Sequence, residues 1–275
     1  METKQLGRSG TEVPALGLGT WRFVKTQPDP KLDAMGVESL RLGIEQGLTL
    51  IDTAEMYGAG HSEEVVGQAI KGMRERIFLA SKVLPRHFAY QDVLKAARAS
   101  LSHLGTDYMD LYQLHWPSTT VPLEETMGAM EELVTQGLVR FIGVSNFSVE
   151  QMRRTEASLT KEPLVANQVR YNPLDRAIEA DVLPYAQEHG ITIIAYSPFA
   201  HGELFSHQRA REKVEKIAEP YGRSFAQAIL NWLIAKDAVI TIPKAIQLDH
   251  VREDAGGAGW RMQQEDYEWL EQAFR

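Results

Sequence analysis

The strongest constraint on this chain is an alternation. Short β-branched and aliphatic runs recur along the sequence, and segments with helical periodicity separate them. The runs cover residues 15–19, 48–51, 77–83, 109–115, 139–145, 164–169, 191–196 and 238–242. The periodic segments cover 31–46, 62–70, 90–104, 123–136, a stretch from about 148, 178–189, 212–218 and 225–235, with 248–254 and 265–274 after the last run. Gly47, Gly105, Gly137 and Gly190 stand where helices should stop. Crossover units of about thirty residues cannot join antiparallel neighbours; they join parallel strands and cover the sheet with helices. Eight such units favour closure, so the expected class is α/β, a (β/α)8 TIM barrel. Ahead of it, residues 4–6 and 11–13 flank Gly7-Arg8-Ser9-Gly10 and read as an N-terminal β-hairpin. No internal repeat, low-complexity stretch or linker divides residues 1–275, which implies one catalytic domain.

Composition narrows the function. A net charge of −8 with no Lys/Arg cluster argues against nucleic acid as a partner. The absence of cysteine removes disulfides, thiolate metal sites and a thiol nucleophile. No apolar run reaches membrane-spanning length, and the N-terminus has no basic-then-apolar leader. The expectation is a cytoplasmic monomer acting on a small molecule, with no nucleic acid, membrane or metal.

The ends of the runs carry the chemistry. In order they are Thr20, Asp52, Lys82, His115, Ser145-Asn146, Gln168, Tyr196-Ser197 and Lys244, with Tyr57 five residues beyond Asp52. A parallel barrel gathers all strand ends at one mouth, however distant in sequence. Each residue alone has a plain structural reading: Asp52 as a helix cap, Lys82 reaching solvent, His115 as a hydrogen-bonded core histidine, Tyr57 as a packing residue. Asn146 could form a turn, and Gln168 could be a buried amide satisfied by backbone. Their convergence is what those readings leave unexplained, because buried polar groups must satisfy one another or a ligand. One acid, one ammonium, one phenol and one imidazole suit the protonation of an oxygen. Asp52 would keep Lys82 charged, Lys82 would lower the Tyr57 phenol towards a usable acid, and His115 would hold a carbonyl oxygen against it. That chemistry fits carbonyl reduction with hydride supplied from elsewhere.

The segments Asp52-Thr53-Ala54-Glu55-Met56-Tyr57-Gly58 with Ser62-Glu63, Ser81-Lys82-Val83, Asp110-Leu111-Tyr112 through His115-Trp116-Pro117, Gly143-Val144-Ser145-Asn146-Phe147, Asn167-Gln168, Ala195-Tyr196-Ser197-Pro198 and Ile242-Pro243-Lys244 resemble the aldo-keto reductase family over essentially the whole chain. The likeness is to small bacterial members that reduce methylglyoxal- or diketogluconate-type compounds. It implies an NAD(P)H-dependent enzyme reducing aldehydes and ketones, with Tyr57 as general acid in a tetrad with Asp52, Lys82 and His115. It also implies a nicotinamide carboxamide against Ser145, Asn146 and Gln168, and its ring on Tyr196. Thr20, Trp21, Ser197, Lys244, His250, Glu253 and Asp254 complete the implied cofactor contacts.

A Gly-x-Gly-x-x-Gly fingerprint is missing. Gly58-Ala59-Gly60 comes close, but Glu63 stands at the third glycine's place, and an acid there would repel pyrophosphate. At the adenosine end the chain departs from the family pattern: Ala245 replaces a serine, His250 an arginine and Asp254 an asparagine. The expected cofactor is NADP(H), with NAD(H) also accepted, and Lys244 is the candidate phosphate contact. Trp21, Phe88 and Trp116 are expected as an apolar substrate rim. With Arg275 ending the chain soon after the last helix, the pocket is expected to be open to small aldehydes, dicarbonyls or keto-sugars. Two rival readings are a metal-dependent barrel hydrolase or aldolase, disfavoured by a single strand-end histidine and no His-x-His pair, and a cofactor-binding regulatory or interaction protein on the same barrel, disfavoured by the intact tetrad.

Overall fold

The structure, a computed structural model, describes residues 1–25 and 27–274, so Arg275 lies outside the described residues. A hairpin, β1 (Thr3–Gln5) and β2 (Glu12–Pro14), precedes eight parallel strands: β3 (Leu18–Gly19), β4 (Leu50–Asp52), β5 (Phe78–Val83), β6 (Met109–Leu114), β7 (Val139–Ser145), β8 (Leu164–Arg170), β9 (Thr192–Tyr196) and β10 (Val239–Thr241). The helices are α1 (Pro30–Glu45), α2 (His61–Ile70), α3 (Tyr90–Leu104), α4 (Leu123–Thr135), α5 (Val149–Ser158), α6 (Val182–His189), α7 (Gln208–Ala218), α8 (Phe225–Ile234), α9 (Leu248–Ala255) and α10 (Gln264–Ala273). Neighbouring strands pair in sequence order, and the ends of the sheet meet: Leu16 bridges Thr241, Gly17 N–H donates to Thr241 O at 2.9 Å, and Thr241 N–H donates to Ala15 O at 3.0 Å. The eight strands therefore close into the expected barrel. Glycine makes that seam possible, since a Cβ on Gly19 would lie 2.9 Å from the Ile242 carbonyl oxygen.

Strand alternation sorts the core into two layers. Ile51, Leu79, Val83, Tyr112, Val144 and Ile193 point outward into a continuous layer beneath the helices. Leu50, Phe78, Ala80, Leu111, Ala166, Ile194 and Ile240 point inward and fill the lower barrel. Leu6 and Val13 of the hairpin, both fully buried, close the floor of that inner layer. Gly7 N–H anchors the hairpin turn on Thr192 Oγ1 at 2.7 Å, and Lys4 Nζ donates to Lys236 O at 2.6 Å. With the floor plugged, the opposite mouth is where a ligand can enter.

Several boundaries differ from the sequence reading for local reasons. The second barrel strand starts at Leu50 and includes Asp52, whose carbonyl accepts from Thr20 N–H at 3.0 Å. The segment 178–189 is split, because Asp181 takes φ −150° and ψ −50° and caps Val182 N–H at 2.6 Å. That start places Pro184 in the first turn of α6, where a missing N–H breaks no helical bond. α7 begins at Gln208, ahead of the expected 212. No described helix is long and apolar enough to cross a membrane.

Candidate active site

The same alternation that puts Leu50, Phe78 and Ala80 inside the barrel puts Asp52 and Lys82 there too, two residues further along β4 and β5. On β6 the inward series runs Leu111, Gln113, His115; on β7 it reaches Ser145, on β8 Gln168 and on β9 Tyr196. The apolar rungs thus give way to polar ones toward the mouth.

Lys82 is fully buried, and its ammonium meets three acceptors. Nζ lies 2.6 Å from Asp52 Oδ1, 2.8 Å from Thr53 O and 3.4 Å from the Tyr57 hydroxyl. Three N–H donors against three oxygens is full satisfaction for an ammonium. The second oxygen of Asp52 accepts from Gln168 Nε2 at 2.8 Å and Gln113 Nε2 at 3.4 Å. Burial works to strip the charge from Lys82, but attraction to Asp52 and then Tyr57 outweighs it and the ammonium is held above its ordinary value. Burial pushes the Tyr57 phenol up, and the Lys82 ammonium only partly offsets that. This corrects the expectation of a lowered phenol: desolvation wins, and Tyr57 rests protonated.

His115 faces Tyr57 edge-on, with ring centroids 5.8 Å apart at 75°. Burial and the nearby Lys82 charge push its imidazole down to about 2, so the ring is neutral at physiological pH. Trp116 stacks on it at 3.8 Å with planes 10° apart, which fixes the ring's tilt. Asn146 ties the site to the next strands: its Nδ2 donates to His115 O at 3.2 Å and Ser145 Oγ at 3.0 Å, and its Oδ1 accepts from Tyr196 OH at 3.0 Å. Asn146 (φ 63°) and Ser197 (φ 53°) both sit in the left-handed region just past their strands, a strained conformation that turns the chain across the mouth.

These groups line a cavity of about 590 Å³, a size suited to a small-molecule site. Asp52, Tyr57, His115, Ser145, Asn146, Gln168, Tyr196 and Ser197 stand on its walls, as do Trp21 and Trp116. Lys244, His250, Glu253 and Asp254 line it as well, brought in by the loop after β10 and by α9. Among the described residues no cluster of three or more His, Asp or Glu side chains is arranged to hold a metal ion.

Two expected positions need correction. Phe88 is not on the rim; it is 2% exposed and packs in the helix-side core, where its carbonyl accepts from Thr126 Oγ1 at 2.9 Å. The turn of residues 85–87 after β5 tucks it beneath α4 instead of over the mouth. Thr20 is also buried beneath the cavity wall, its hydroxyl donating to Asp52 O at 3.0 Å and accepting from Ser62 Oγ at 2.9 Å. Sequence reasoning missed Arg22, Met56, Phe199, His201 and Phe205, all of which line the cavity. The aromatic content of 199–207 was an available signal, but that stretch has neither strand nor α-helix periodicity; it folds as a broken 3-10 turn with His201 at φ 57°. His201 packs on Trp21 at 4.9 Å, so the loops after β3 and β9 meet over the cavity.

The sequence model of the Aldo/keto reductase family matches residues 15–274. The chain is 40% identical over 276 residues to methylglyoxal reductase YeaE of Escherichia coli (strain K12), spanning 100% of this chain and 96% of that protein. It is 34% identical to the glyoxal reductase of Bacillus subtilis (strain 168), with 96% and 90% covered. Among solved structures, a thermostable aldo-keto reductase in complex with the inhibitor epalrestat superposes with a TM-score of 0.93 at 43% identity, covering 99% of this chain and 100% of that one. An aldo-keto reductase from Klebsiella pneumoniae in complex with NADPH gives a TM-score of 0.89 at 39% identity, covering 100% and 96%.

Proposed function

Because the chain belongs to the aldo/keto reductase family, whose members reduce carbonyl compounds with a nicotinamide cofactor, we propose that Tyr57 is its general acid and that Asp52, Lys82 and His115 hold that acid ready. The observation that carries the reading is the third contact of the Lys82 ammonium. Because Nζ donates to the Tyr57 oxygen, the phenol's own proton is left to point elsewhere, and the open direction is the cavity. A nicotinamide held in this cavity would supply the hydride that carbonyl reduction needs. The protein's part is then to hold the carbonyl oxygen between Tyr57 and His115, deliver the Tyr57 proton to it, and stabilise the resulting phenolate beside the Lys82 charge.

The residues present fit a nicotinamide dinucleotide. At the Tyr57 end, the Tyr196 ring offers a stacking face, Ser145 and Asn146 offer short polar side chains, and Gln168 keeps its carbonyl oxygen free while its NH₂ holds Asp52. Lys244, Arg22 and His250 line the same cavity, and Lys244 and Arg22 are the cations that would meet a phosphate there. Burial and then the Arg22 charge push the Lys244 ammonium down, so an anion between the two cations would relieve both. We read this as preference for NADP(H), with NAD(H) a weaker alternative. Lys244→Ala should weaken NADPH binding by about 1–3 kcal/mol, the range of a charge-assisted contact, and leave NADH nearly unchanged. Equal losses in titrations of the two cofactors would show that Lys244 does not read the extra phosphate.

For substrate, the mouth bounded by Trp21, Met56 and Trp116 suits a compact carbonyl, and relatives named for methylglyoxal and glyoxal reduction support small aldehydes and dicarbonyls. We further read the chain as a single-domain monomer of the cytoplasm. The test of substrate class is NADPH and NADH consumption across a panel of small aldehydes, dicarbonyls, keto-sugars and bulky ketones. Highest kcat/KM on the bulky ketones would overturn the small-carbonyl reading.

A further inference from the structure

Glu63 carries a fully buried carboxyl that the reaction above does not use. Its Oε1 accepts from Ser81 Oγ at 2.6 Å, and its Oε2 lies 3.1 Å from His103 Nδ1. Burial holds the carboxyl above its ordinary range, against the pull of those two partners. Each partner has a neighbour that matters to the active site. Ser81 precedes Lys82 on β5, and alternation turns Lys82 into the barrel and Ser81 out toward α2. The His103 ring, carried by α3, lies against Gly60: a Cβ built there would come within 2.5 Å of His103 Cε1.

Gly60 closes the turn that carries Tyr57. That turn, Tyr57–Gly60, runs through three consecutive left-handed residues, with φ 61° at Gly58, 55° at Ala59 and 96° at Gly60. Alanine takes up such a conformation only where the surrounding structure imposes it. The first turn of α2 supplies that structure. His61 Nε2 lies 3.0 Å from Asp33 Oδ2 of α1. Ser62 Oγ accepts from Thr53 Oγ1 at 3.2 Å and donates to Thr20 Oγ1 at 2.9 Å, which in turn donates to the Asp52 carbonyl. Of the three, Glu63 is the one whose contacts reach both the Lys82 strand and the ring seated on Gly60. A glutamate placed only to join α2 to α3 would need no bond to β5.

The spacing at the acid makes such a brace consequential. Asp52 at 2.6 Å and Thr53 O at 2.8 Å pin the Lys82 ammonium, whereas its contact with the Tyr57 hydroxyl is 3.4 Å. Most N–H···O bonds fall within ~2.7–3.2 Å, so a small further separation would uncouple the phenol from the ammonium. We propose that Glu63 is a positioning residue for the general acid. Tied to Ser81 and to His103, it holds the Lys82 strand and the Tyr57 turn at the separation where ammonium and phenol still meet. The proposal rests on Tyr57 being the proton donor.

The test is a cycle of Glu63→Leu and Tyr57→Phe. Its readout is single-turnover reduction of methylglyoxal by enzyme saturated with NADPH, with NADPH affinity from fluorescence titration and thermal denaturation to confirm folding. In the parent background, Glu63→Leu should slow reduction by about tenfold or more, a part of the ~10²–10⁴ that a positioned acid is worth. NADPH affinity should not change. In the Tyr57→Phe background the same change should leave the residual rate within about twofold, because groups that act through one another are not additive. Glu63→Gln should stay near the parental rate, since an amide accepts from Ser81 through its oxygen and donates to a neutral His103 ring through its nitrogen. A folded Glu63→Leu enzyme with the parental rate overturns the proposal. So does one slowed equally in both backgrounds, since Glu63 would then act elsewhere than on Tyr57. If Glu63→Leu does not fold, His103→Leu takes its place: that side chain is 36% exposed, and its loss frees Gly60 while keeping the Ser81 bond. It should be slowed only where Tyr57 is present; a parental rate, or an equal loss in both backgrounds, again overturns the proposal. Should Tyr57→Phe itself react at the parental rate, the reading of the acid fails. A slow Tyr57→Phe beside a parental Glu63→Leu rejects the assignment of Glu63 alone.

Discussion

Replacing Tyr57 with phenylalanine should lower the rate of carbonyl reduction by ~10²–10⁴, the usual worth of a positioned general acid, while NADPH affinity stays nearly constant. The ring that packs near His115 is retained, and only the hydroxyl 3.4 Å from Lys82 Nζ is lost. The pH profile gives a second reading of the same group. Reduction needs the phenol protonated, and burial raises that phenol against the pull of Lys82. Parental turnover should therefore hold through neutral pH and fall only above the ordinary phenol range. His115, pushed down to about 2, should contribute no limb near neutrality. Single-turnover measurements separate this step from cofactor release. A Tyr57→Phe enzyme that reduces a good dicarbonyl at the parental rate would show that the proton comes from another group.

Much of this site was legible because barrel geometry is itself legible. Strand alternation and a common mouth make neighbours of the scattered Asp52, Lys82, His115 and Gln168 on the evidence of sequence alone. What the alternation could not supply is the balance of energies at each group. Lysine beside tyrosine suggested a lowered phenol, yet the depth of Tyr57 reverses the sign. Loop residues were legible only where a strand pointed to them. Phe88 follows β5 closely, but a turn carries it into the helix-side core. Arg22 and His201 reach the cavity through positive φ angles of 60° and 57°, conformations that sequence patterns rarely signal outside glycine. Asp254 was visible as a departure from a family pattern, but its burial and lack of a partner are tertiary facts.

The second large effect concerns the ion pair itself, where stability and catalysis should separate. Lys82→Met removes the cation from a site with no solvent access and leaves Asp52 with only the amides of Gln168 and Gln113. Breaking a buried pair from one side typically costs about 3–5 kcal/mol, since the remaining charge is stranded. Asp52→Asn alone strands the ammonium instead, and burial then favours loss of its proton. Joining the two changes removes both charges, and Gln168 can turn its amide to suit a neutral partner. The double variant should therefore be more stable than Lys82→Met, with a coupling at or above the upper end of the range seen between contacting groups, about 3 kcal/mol. Turnover should not recover, because the phenolate formed at Tyr57 would have no cation beside it. Urea denaturation of the parent and three variants measures the first quantity, and single-turnover reduction measures the second. A double variant that regains both would mean that the pair serves packing alone and that Tyr57 transfers its proton without help from Lys82.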